Sequence, residues 1–276
     1  MKCAAVIAIR NEEPHLHRLL TDYISQGIDV IIIDNCSTDR SIEICNKFIG
    51  NGLLGIYSLP WNGEFNLSAQ LRTKETIINE LTHDWVIHAD ADEWLQSPLE
   101  GERLIEGIQR ADQAGYNAIN FEEFVFLPDM KQETLQPDYE KNLLNYYWFH
   151  HSTNRLMRAF KPADRLDFVT AAGHCLTGNV NLFPENFILR HYIVLSYAHA
   201  VYKYSSRCFA REDLIKGWHF NRLNLSSEKL ILPKKYKLNR LSHWRSKKYN
   251  LNNSKKLITG NGYRSNLDDY DNIISG

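Results

Sequence analysis

Three carboxylates, Asp90, Asp92 and Glu93, fall within four positions of the stretch HADADEW, directly after the apolar run Trp85-Val86-Ile87. Carboxylates repel one another, and burying them is costly unless a positive partner stands by. Two Asp one residue apart at the end of a strand can bring both carboxylates to one ion. Hard divalent cations such as Mg²⁺ and Mn²⁺ prefer such oxygen ligands. A metal held there can bridge a diphosphate and stabilise the charge on a leaving nucleotide. Many Asp-x-Asp triplets are plain surface turns, so the surroundings have to decide.

Those surroundings alternate strand and helix. Residues 4–9, 30–33, 53–59 and 85–89 are short apolar runs. Between them lie helical stripes: Leu16, Leu19, Leu20, Tyr23 and Ile24, then Ile42, Cys45, Phe48 and Ile49, then Leu67, Leu71, Ile78 and Leu81. Pro14 suits a first helical turn, Gly27 closes the first helix, and Ser37, Thr38 and Asp39 are candidate caps for the second. Such βαβ units predict an α/β fold with a mainly parallel sheet flanked by helices. Ligands of these sheets bind beyond the carboxyl ends of the strands. The polar clusters sit there: Arg10-Asn11-Glu12, Asp34-Asn35 and Asp90-Ala91-Asp92. Further on the pattern predicts a helix over 99–111, a strand over 117–127 and a loop over 128–146. Strands over 155–160, 168–172 and 187–194 and a helix over 196–211 follow.

The chain has 276 residues and a net charge of −1, enough for one large domain or a domain with an extension. The average hides an asymmetry. Residues 226–276 hold eleven Lys/Arg against four Asp/Glu, about +7, leaving about −8 for the rest. We therefore divide the chain into a domain over 1–225 and a basic C-terminal extension over 226–276, suited to an anionic membrane surface or to a solvated tail. No apolar run is long enough for a membrane span, and the N-terminus lacks the marks of a signal peptide. Five scattered cysteines without a CxxC pair suit reduced thiols, hence a cytoplasmic protein, peripheral at most at the inner face of the membrane. Nucleic-acid binding is not expected, because the basic segment lacks interleaved aromatics.

The ordered set VIAIRNEE, IIIDNCSTDRS, AQLRTKE and HADADEW resembles the family 2-type glycosyltransferases with the GT-A fold, a Rossmann-like mixed sheet. The resemblance is close over 4–94 and looser over 155–222. It implies transfer of a sugar from a UDP- or GDP-linked donor to a glycan or lipid-linked acceptor, with Mn²⁺ or Mg²⁺ and with inversion. By the same resemblance Arg10, Asn11, Glu12 and Asp34 hold the nucleotide base. Asp34 suits either that task or an Asx-type cap on the next turn. Arg72 lies near the diphosphate, Asp90 faces the ribose or the metal, Asp92 binds the metal, and His191 is a further metal ligand. Glu93 supports that site or caps the next helix. His219 and Arg222 close over the diphosphate as a lid.

Inversion needs a base for the acceptor hydroxyl. Relatives carry Arg-Leu-Phe-Arg and then a Gly-x-x-His-Glu-like segment. Here Arg155-Leu-Met-Arg158 and Ala172-Gly173-His174-Cys175 stand, so a Cys takes the place of the Glu. His174 is the first candidate base, Asp167 the second and Glu123 the third. Two other readings compete. A nucleotidyltransferase would show a Gly-rich loop after the first strand, where Arg-Asn-Glu-Glu-Pro stands instead. A degenerate, non-catalytic sugar-nucleotide-binding domain would have lost the acidic pair, which is intact.

Overall fold

The computed structural model describes residues 1–128, 138–149, 156–205, 207–219, 223, 232–233 and 235–251. In chain order the elements are β1 (Cys3–Ile9), α1 (Glu13–Ser25), β2 (Ile28–Asp34), α2 (Ser41–Asn46), β3 (Leu53–Ser58), α3 (Leu67–Glu80), β4 (Trp85–Asp90) and β5 (Glu93–Gln96). Then come α4 (Leu104–Gln113), β6 (Ala118–Phe126), α5 (Tyr139–Asn142), β7 (Asn145–Phe149), β8 (Met157–Phe160), β9 (Phe187–His191), α6 (Tyr197–Ser205), α7 (Arg211–Ile215) and β10 (Asn239–Arg240). No helix among the described residues is long and apolar enough to cross a membrane.

The chain divides into two compact units, the first drawn from 1–62, 67–122 and 154–188, the second from 63–66, 123–153 and 189–276. In the first unit β3, β2, β1 and β4 lie side by side and parallel. Antiparallel β8 and the opening residues of β6 continue the sheet beyond β4. This is the mixed, mainly parallel sheet that the sequence predicts. Strands β1, β2 and β4 are buried almost throughout, as β-branched and small apolar runs require when both faces are covered. Helix α1 starts where the Glu12 carbonyl accepts the His15 and Leu16 amides, with Pro14 in its first turn, and buries Leu16, Leu19, Leu20 and Tyr23.

The second unit holds the closing residues of β6, with β7 antiparallel to them and β10 antiparallel to β7. Its core packs Val125, Tyr147 and Phe149 with Ile193, Val194, Ala200 and Leu238. Residues 235–251, inside the segment read from sequence as an extension, contribute β10 and the Tyr249 ring to this unit.

Four expectations change. The described part of 128–146 includes α5 and the start of β7, whose run NYYWF is a strand. Residues 168–172 form a turn instead of a strand, because Asp167 gathers the Val169 and Thr170 amides and Ala172 and Gly173 take left-handed φ values of 53° and 76°. The helix expected over 99–111 begins later, at Leu104. The helix expected over 196–211 is two, α6 and α7. The break is filled by a bridge in which Phe65 pairs with Cys208 and Ala210 through backbone hydrogen bonds.

Candidate active site

Register brings three strand ends together in the first unit. Ile9 of β1 faces Asp34 of β2, and Ala8 of β1 faces Asp90 of β4. The Arg10 guanidinium donates to the carbonyls of Asn35 and Cys36, both at 2.6 Å, and lies 3.7 Å from the centre of the Trp61 ring. Asn11 has a left-handed φ of 56°; its amide donates to Ser37 Oγ and its Oδ1 accepts the Thr38 amide at 2.7 Å. Glu12 donates its amide to Ser41 Oγ. Asp34 Oδ1 accepts the Ser37 amide at 3.0 Å, the Asx-type cap that the sequence allowed. The buried Asn35 amide ties β2 to the end of β3 by donating to the carbonyls of Leu59 and Pro60. These bonds make a rigid floor at the carboxyl edge. They also show Arg10 and Asn11 already engaged in building the loops.

The charge knot HADADEW has its counter-ions within the protein. Glu93, 2 % exposed, forms a 2.5 Å ion pair with Arg158 Nη2. Its other oxygen accepts the Asp90 amide at 3.1 Å. Arg158 Nη1 donates to the Gly173 carbonyl at 2.8 Å. Lys74 reaches up from the buried face of α3, donating to the Ala89 carbonyl at 3.0 Å and standing 3.7 Å from Asp90. The Asp90 carboxylate itself is half exposed, while Asp92 is buried. Arg18 reaches the Ala91 and Glu93 carbonyls from α1, so the acidic turn is held on both sides.

His88 lies beneath this cluster. Lysine only donates, so Lys74 at 3.1 Å makes His88 Nδ1 the acceptor, and Nε2–H then donates to the Gly173 carbonyl at 3.2 Å. Burial, then the charges of Lys74 and Arg158, hold the His88 pKa well below its usual value, so the ring is neutral. Burial likewise lowers the Lys74 pKa, with Asp90 opposing. Gly173 has to be glycine: with φ at 76°, a Cβ would stand 2.7 Å from His88 Nε2.

The remaining candidates are divided between the two units. His191 and Glu123 meet in the second unit, Nδ1 to Oε1 at 2.6 Å. Carboxylates hold metal-binding imidazoles in this way, fixing Nε2 as the basic nitrogen. His174 adjoins Gly173, half-buried, its carbonyl accepting the Met157 amide. Asp167, taken as a second candidate base, is spent on its turn. It accepts two amides and the Thr170 hydroxyl, and although burial raises its pKa, those hydrogen bonds lower it overall. Arg72 is exposed on α3. His219, expected in a lid, is instead buried in the second unit, stacked on Phe209 and edge-on to Phe65. Arg222 lies outside the described residues.

Sequence reasoning missed Lys74 and His88 and gave Arg158 no partner. A lysine among Leu71, Ile77 and Ile78 on the buried stripe of α3 was the available sign, since an ammonium is rarely buried unless paired.

Residues 4–165, which contain the strand ends, Lys74 and Arg158, match the family described as glycosyl transferase family 2. The chain belongs to that family. This family 2 glycosyltransferase, GT-A in fold, is 28 % identical over 98 residues to Glycosyltransferase GlyA of Streptococcus pneumoniae serotype 4. The match covers 34 % of this chain and only 13 % of that relative's length. Among solved structures, S. aureus TarS 1–349 in complex with UDP is 13 % identical with a TM-score of 0.41, over 69 % of this chain and 60 % of that one. Mannosyltransferase PcManGT from Pyrobaculum calidifontis, in complex with GDP-Man and Mn²⁺, is 16 % identical with a TM-score of 0.32, over 44 % and 35 %.

Proposed function

We propose that this glycosyltransferase is metal-dependent and moves a sugar from a UDP- or GDP-linked donor to a glycan or lipid-linked acceptor, with inversion. The register of the three strand ends carries this reading, because it lines up Asn11, Asp34 and Asp90 along one edge of the sheet. Asp34 then accepts a base N–H through the oxygen not held by Ser37, and the Arg10–Trp61 stack walls that side.

Asp90 and Asp92 fit a hard divalent cation by donor chemistry. Among the described residues no three His, Cys, Asp or Glu side chains already converge as a ready-made metal site. The cation would supply charge neutralisation for the departing diphosphate. The chain's own share is positional. Lys74 and Arg158 hold the Asp90 carboxylate, and Glu93 holds its amide. In the second unit we assign His191 a metal-binding role on its own geometry, with Nδ1 clamped by Glu123. Since Asp167 is committed to its turn and Glu123 to His191, His174 is the base that this reading favours.

Calorimetric titration of UDP and GDP, each with Mn²⁺ and with EDTA, tests the proposal on the wild type and on Asp92→Asn. Metal-dependent binding that the variant loses is expected. No binding of either nucleotide would favour a non-catalytic domain.

A further inference from the structure

We propose that residues 243–250 form a strap that positions the Glu123–His191 pair. Neighbouring residues in a strand point to opposite faces. Glu123 and His191 touch each other, so they share one face of β6 and β9, which pair. Their chain neighbours, Phe124 and Arg190, therefore face the other way, and the strap lies on them. The Tyr249 ring stacks on Phe124, centroids 3.8 Å apart and planes 21° apart. The Tyr249 hydroxyl accepts from Arg190 Nε at 2.6 Å. Arg190, fully buried, also donates to the carbonyls of Ser246, at 2.8 Å, and Trp244. The Asn250 amide fastens the end of the strap by donating to the Tyr146 hydroxyl at 2.7 Å.

The geometry has a purpose in chemistry. Burying a guanidinium is costly, and here its donors are met by two carbonyls and a phenol of one short segment. The strap thus fixes the residue before His191 and the residue after Glu123 with a single aromatic side chain. A carboxylate–imidazole bond depends on the relative placement of two strands, and the strap sets that placement from behind. Tyr249 is accordingly a positioning residue, not a catalytic one. This rests on the reading above, in which the pair serves the metal.

The test uses the full chain with Tyr249→Ala, Tyr249→Phe and His191→Ala. Two quantities are measured: the ¹⁵N tautomer signature of the His191 imidazole in metal-free protein at fixed pH, and affinity for Mn²⁺ alone. In the wild type the signature is that of a ring locked with its proton on Nδ1. Tyr249→Ala is expected to average it and to weaken Mn²⁺ binding about tenfold, the lower range for loss of a ligand-orienting partner. Tyr249→Phe, which keeps the stack and loses the Arg190 bond, should fall between. A locked signature in Tyr249→Ala overturns the strap. Should that variant fail to fold, an unchanged signature in Tyr249→Phe overturns it instead. If His191→Ala binds Mn²⁺ as the wild type does, the metal reading of the pair fails, while the tautomer signature still decides the strap.

Discussion

Glu93 and Arg158 are a buried ion pair, and such pairs reveal themselves by how they break. Removing one partner leaves an uncompensated buried charge, at a cost of about 3–5 kcal/mol. Glu93→Gln is expected to lose that much in urea unfolding, whereas Glu93→Leu with Arg158→Met recovers a large part. A single variant as stable as wild type would mean that Arg158 is satisfied by Gly173 and Asp90 alone. His88 gives the matching pH prediction. Its folded pKa is depressed, so only the unfolded chain takes up the proton near the ordinary imidazole value. Its contribution is present above about pH 6.5 and is lost as pH falls from there toward the folded value, by about 1 kcal/mol between pH 6.5 and 5.5. Unfolding curves at the two pH values, on the wild type and His88→Gln, check it. An equal loss in both would remove His88 from the account.

At the scale of elements, the first half of the chain was readable because its signals are local. Val30 to Ile33 is short and β-branched, which favours a strand buried on both faces, and the stripe Leu16, Leu19, Leu20, Tyr23 has the period of an amphipathic helix. Asp39 was readable as a cap but not as a double one: its carboxylate accepts the Glu13 amide at the start of α1 and the Ser41 amide at the start of α2. What failed depends on distant partners. Phe168 to Ala172 is apolar enough for a strand, yet Asp167 and the left-handed pair Ala172-Gly173 turn it. Lys74 and Glu93 find their partners 15 and 65 residues away, beyond any periodicity. The site was legible as types at strand ends, and its counter-ions were not.

For the whole molecule, the basic C-terminal segment reads differently once it is placed. Eight of its eleven Lys/Arg, against one acidic residue, fall within 226–251. The last twenty-five residues balance three against three. Membrane contact that rests on this charge belongs to residues 226–251, of which 235–251 contribute β10 and Tyr249 to the second unit. Deleting 252–276 should then leave flotation with anionic vesicles unchanged, and Lys235, Lys237, Lys247 and Lys248→Glu should abolish it. Equal flotation of all three proteins would sink the idea.

The interleaving of the two units matters most while the chain is being made. By residue 188 every segment of the first unit has been made, but Val125, Tyr147 and Phe149 wait for the core partners Ile193, Val194, Ala200 and Leu238. Roughly sixty more residues must leave the ribosome before Tyr249 arrives, on the order of 3–12 s at ordinary translation speeds. For most of that interval the core around Val125, Tyr147 and Phe149 is incomplete, because Leu238 has yet to be made. Yield of the recombinant protein is therefore expected to rise when a chaperone that binds apolar segments is co-expressed, because the order of the segments leaves that core open during synthesis.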